Sequence, residues 1–78
     1  MSILDQIKNI MYKKSISDQG YKINYFSMIN SILTPNINYF IILIDKEGRN
    51  FKDQFTSEKE VATFLNRIGF KIYTENKS

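Results

Sequence analysis

Ile3, Leu4, Ile7, Ile10 and Met11 fall at i, i+1, i+4, i+7 and i+8, which is one stripe of a helix. The spacing predicts an amphipathic helix over residues 2–14. Ser2 is placed to cap it, and Asp5 meets the positive end of the helix dipole. Lys13 and Lys14 sit at the negative end. A helix this short is marginal in water by itself, so its stripe must dock on another element. Residues 15–20, Ser-Ile-Ser-Asp-Gln-Gly, then break the pattern with turn formers.

Tyr21, Ile23 and Tyr25 alternate with Lys22 and Asn24 at strand period, and the alternation fails where Phe26 and Met28 take the other face. This predicts a strand over 21–30 with a bulge or bend near Phe26. A short helix over 25–33 is the rival, because Phe26, Ile29 and Leu33 also fit helical spacing. Thr34, Pro35 and Asn36 predict a turn. Residues 37–45 form an almost unbroken apolar, β-branched run, which predicts a central strand covered at least in part on both faces. Residues 46–48 predict a hairpin turn with Gly48 in the left-handed position. Residues 49–55 make the returning strand. Asp53 lies between Phe51 and Phe55 on one face, which argues for a sheet edge or a strand end.

Ser57 and Glu60 have capping-box spacing, Val61, Phe64, Leu65 and Ile68 supply a helical stripe, and Gly69 supplies the stop. They predict a helix over 57–68. Residues 70–73 allow a short final strand, and 74–78 read as a frayed tail. The order predicts one small α+β domain over 1–78. It is a two-layer sandwich: a three- to four-stranded antiparallel meander with both helices on one face.

Composition narrows the chemistry. The 78 residues include no cysteine and no histidine. Disulfides, thiol nucleophiles, zinc fingers and imidazole acid–base catalysis are thereby excluded. The glycines stand alone at 20, 48 and 69, so there is no glycine-rich phosphate loop. Ser15 follows Lys13 and Lys14, but a lysine at a solvated helix end is a poor general base. Asp45 with Glu47, and Glu58 with Glu60, are pairs where a divalent cation needs three or more oxygens. No enzyme, metal or cofactor is expected. No apolar stretch is long enough to cross a bilayer, and the start lacks a signal-peptide pattern. These predict a cytoplasmic protein with no membrane partner.

Phe, Tyr, Met, Ile, Asn and Lys make up 44 of the 78 residues, against 7 for Gly, Ala, Arg and Pro. The first set has AT-rich codons, so the bias points to an AT-rich genome such as that of a low-GC bacterium, its phages or its plasmids. The net charge is +3, with the excess spread over both halves of the chain. A dedicated nucleic-acid binder carries a denser patch. The candidates for phosphate contact are Lys13, Lys14, Lys46, Arg49 and Lys52, with Tyr12, Tyr25 and Tyr39 able to stack bases if exposed.

The element order resembles the double-stranded RNA-binding domain. Residues 51–65, from Phe51 through Ser57 and Ala62 to Leu65, echo that family's last strand running into a Ser-started helix. The resemblance implies the same architecture. The family grips phosphate with a lysine cluster at that helix start, where this chain has Glu58, Lys59 and Glu60. Thr34-Pro35-Asn36 also lacks the histidine of the family's first strand connection. The architecture carries over and the function does not. A winged helix is the alternative if 25–33 is helical.

Eleven aromatics are more than a core this small must hide. The expectation is a non-enzymatic, phage- or mobile-element-encoded binding protein. It would inhibit or modulate a host defence or transcription protein through protein–protein contact. The alternative is a small DNA- or RNA-binding protein. A homodimer through the edge strand or the first helix is a further expectation.

Overall fold

A computed structural model of the chain describes residues 2–30, 33 and 37–74. The apolar stripes and runs become α1 (Ile3–Lys13), β1 (Lys22–Asn30), β2 (Ile37–Ile44), β3 (Asn50–Phe55) and α2 (Glu58–Arg67). The strands form an antiparallel meander in the order β1-β2-β3, so the fold is α-β-β-β-α. No described helix is long and apolar enough to cross a membrane.

Both helices start as the sequence predicts. Ser2 Oγ accepts from the Asp5 N–H at 3.1 Å, and Ser57 Oγ accepts from the Glu60 N–H at 3.2 Å. The Glu60 carboxylate reaches back to the N–H and hydroxyl of Thr56, at 3.1 and 2.9 Å. α1 ends with Lys14 in the left-handed region, φ 54°. One face of the sheet and one stripe of each helix close the core. It contains Ile7, Ile23, Tyr39, Ile41, Leu43, Val61, Leu65 and Phe70, all at least 94% buried.

β1 runs as a strand through Asn30, so the rival helix over 25–33 does not form among its described residues. The bulge is present, at Asn24, two residues before Phe26. It resolves the broken alternation. Before it, Ile23 pairs with Leu43 on the core side. After it, Phe26 pairs with Ile41 and Met28 with Tyr39 on that same side. One extra residue switches the phase of the strand. The turn expected at 34–36 and the tail at 75–78 lie outside the described residues.

The hairpin between β2 and β3 is organised by Asp45. Its Oδ1 accepts from the Glu47 and Arg49 N–H groups at 2.9 and 2.8 Å. Gly48 takes φ +82°, the conformation the turn requires. β3 is an edge strand, as Asp53 suggested.

The optional fourth strand is not formed. Residues 70–74 pair with no strand, and side-chain amides satisfy their backbone instead. Asn66 Nδ2 donates to the Ile72 carbonyl at 3.0 Å, and the Ile72 N–H donates to Asn66 Oδ1 at 2.9 Å. Gln6 treats Tyr73 the same way: its Nε2 donates to the carbonyl at 2.6 Å and its Oε1 accepts from the N–H at 2.8 Å. Phe70 and Ile72 alternate into the core while Lys71 and Tyr73 face solvent. The segment has strand periodicity because it is extended and half-buried, yet its partners are helix side chains.

Candidate protein-interaction surface

Cross-strand partners share a sheet face, so the register sorts every strand residue. Tyr39, Ile41 and Leu43 of β2 face the helices and are buried. The opposite face carries Phe40, Ile42 and Ile44 from β2. Beside them lie Lys22, Tyr25, Ser27 and Ile29 of β1. On the other side lie Asn50, Lys52 and Gln54 of β3. Tyr25 is 48% exposed and Ile29 53%, while Phe40, Ile42 and Ile44 are half-buried among their neighbours. Tyr25 and Phe40 pack edge to face, with ring centroids 6.2 Å apart.

The run over 37–45 predicts a strand covered at least in part on both faces. The structure agrees in part: helices cover the core-facing positions, while the alternate ones are half-buried by their neighbours in the sheet with no helix over them. A solvated sheet face ordinarily carries polar residues at these positions. Here the centre is Ile and Phe, and the fringe is Lys22 and Lys52 with no acid among the described residues of that face.

The five cations singled out from the sequence are dispersed. Lys13 ends α1, and Lys14 caps it. Lys14 shares a cleft at the α1–β1 corner with Met11, Lys22, Ile23 and Asn24. The stem of Lys46 lies against Gly20. Arg49 is engaged within its own hairpin, its Nε 2.7 Å from Asp45 Oδ2 and its Nη2 3.8 Å from Glu47. Lys52 alone of the five stands on the open sheet face. Of the tyrosines, Tyr12 is 87% exposed on α1, Tyr25 lies on the open face, and Tyr39 is buried and unavailable for stacking. The residues missed were Phe40, Ile42, Ile44 and Lys22. The signal that could have found them was the apolar side chains at both parities of β2, read against only two helices to cover them.

Three ionisable groups are shifted. Burial, then the nearby Glu58 charge and a long 3.5 Å hydrogen bond to it, raise the Tyr39 hydroxyl above the usual phenol range. At Asp45 partial desolvation pushes the carboxyl up. The hydrogen bonds and charge of Arg49 and the Glu47 N–H together outweigh it and hold it below the usual range. The Thr56 hydroxyl and N–H, with help from Ser57, lower the Glu60 carboxyl. Each is explained by local structure, a core contact, a turn and a helix cap.

No protein-family model, curated protein sequence or solved structure matches this chain. The likeness to the double-stranded RNA-binding domain is thus one of element order. At the start of α2, where that family clusters lysines, the structure places Glu60 in the helix cap and Glu58 near Tyr39.

Proposed function

We propose that this chain is a non-enzymatic, cytoplasmic protein-binding module whose contact surface is the open face of its sheet. It acts by covering a site on a host protein and so inhibiting or modulating it. One observation carries the reading: Phe40, Ile42 and Ile44 occupy the β2 positions that no helix covers. With the exposed Tyr25 and Ile29 beside them they make one apolar patch, and exposed apolar patches mark interaction sites. The lysine fringe favours a partner with an acidic rim. The AT-rich composition is what supports a phage or mobile-element origin.

A second reading has its own support. Tyr25 and Phe40, flanked by Lys22 and Lys52, resemble a stacking platform for single-stranded nucleic acid. Salt separates the two, because phosphate contacts weaken steeply with ionic strength and a buried apolar contact does not. The test is capture from a low-GC bacterial lysate at about 0.15 M and 1 M salt. Anisotropy titrations of labelled single- and double-stranded DNA and RNA run alongside. The proposal expects a captured protein that survives high salt and is lost with Ile42→Glu. Tight, salt-sensitive oligonucleotide binding abolished by the same variant would replace it with the second reading.

A further inference from the structure

The two edges of the sheet differ. β3 is six residues long, Asn-Phe-Lys-Asp-Gln-Phe, and carries both a lysine and an acid. Charges of this sort block strand addition. β1 is nine residues long, and beyond Lys22 it carries neither charge nor proline. Ile16 bridges its outer edge only at Lys22, and the bulge at Asn24 interrupts the ladder next to it. From Tyr25 to Asn30, no described strand pairs with that outer edge. Tyr25, Met28 and Ile29 are each about half exposed, at 48, 49 and 53%.

We propose that two copies of this chain pair through β1, antiparallel and centred on Ser27, to join their sheets into one six-stranded sheet. The occupant is a second copy because the edge is complementary to itself. An antiparallel pair about a two-fold axis matches faces only when the axis passes through a residue position. The bulge limits the regular segment to residues after Asn24. Centring on Ser27 sets Tyr25 against Ile29 of the other copy on the open face. It also sets Phe26 against Met28 on the core side. Apolar meets apolar at all four places. Centring on Met28 would set Phe26 against Asn30 and Ser27 against Ile29, and centring on Phe26 would set Met28 against Asn24. With no charge from Ile23 to Asn30, the two copies meet without like-charge repulsion.

This inference concerns the edge and needs no other partner, so it stands or falls separately from the function proposed above. The experiment is sedimentation equilibrium of the purified full chain over a wide concentration range. Four proteins are compared: wild type, Tyr25→Glu, Ile29→Lys and the double variant. Each substitution sits on the exposed face, and circular dichroism confirms that each variant is folded. Wild type should move from 9.2 kDa towards twice that mass as concentration rises. Each single variant should dimerise about tenfold more weakly. The double variant should recover to within a few-fold of wild type, because the register sets each glutamate opposite a lysine of the other copy. A wild type that stays monomeric to millimolar concentration overturns the proposal. So does a double variant no stronger than the weaker single one, or a dimer indifferent to all three changes.

Discussion

Gly69 holds the end of α2 against the loop between α1 and β1, and replacing it tests that junction. Its φ is +106°, where an L side chain is strained. That alone costs about 1–2 kcal/mol. A methyl group there would also stand 2.7 Å from the Asp18 nitrogen and 2.9 Å from its Cβ. The loop has little room to yield. The Asp18 N–H donates to the Gly69 carbonyl at 3.3 Å, Gln19 Nε2 to the Arg67 carbonyl at 2.7 Å, and the Ser17 N–H to the Tyr21 carbonyl at 2.8 Å. Overpacking against such a backbone costs about a further 1–3 kcal/mol. Gly69→Ala should therefore lose about 2–5 kcal/mol, from a total that for a chain this size is about 4–12 kcal/mol. Gly48→Ala is the matched control. Its φ is +82°, yet a Cβ there meets nothing within 4 Å. It should lose only the conformational part, about 1–2 kcal/mol. Urea and thermal unfolding followed by circular dichroism would read both. At about 4–8 °C per kcal/mol, the two midpoints should differ by at least several degrees. Equal losses at the two glycines would refute the claim that the Asp18 contact is rigid.

Gln6→Leu keeps the size of the side chain but strips Tyr73 of both backbone partners. It should cost about 1–3 kcal/mol and raise hydrogen exchange at residues 70–73 more than in the sheet; uniform exchange across the chain would contradict the pinning role. Asp45 and Glu60 titrate below their ordinary values, so as pH falls the unfolded state takes up protons first and stability declines. Their contribution is complete above about pH 4–4.5 and is lost as pH drops through the lower folded values. Thermal midpoints of wild type and Asp45→Asn should thus differ at pH 7 and converge towards pH 2. A gap that is constant with pH would show that the carboxylate charge is not what holds the turn.

Elements whose signals are local were legible in the sequence. The Ser2 and Ser57 caps, the Gly48 turn and the two helical stripes depend on residues within four positions of one another, and they formed where spacing placed them. The bulge was legible as a phase error, and its position to within two residues. Phe26 shows where the new phase becomes visible, and the extra residue had been inserted two places earlier. The segment over 70–73 misled for a related reason, since alternation reports burial and says nothing of who supplies the hydrogen bonds. Asn66 and Gln6 gave no sequence cue to that task. The open face was harder still. Phe40, Ile42 and Ile44 could be assigned to it only when the register of three strands was known.

Asp53 bears on how far such a protein can grow. It stands opposite Ile41, on the side of the sheet that faces the helices, and it is exposed at the rim of β3. A strand added outside β3 would have to cover that carboxylate together with Lys52. Two chains joined through β1 would present only β3 at their outer margins. With both β1 edges used, such a pair would leave no uncharged edge for a third copy. A chain rich in isoleucine and phenylalanine, with an apolar sheet face in water, is by composition a candidate for fibre formation. In the proposed pair, Asp53 and Lys52 on the two outer strands would oppose that polymerisation at its first step.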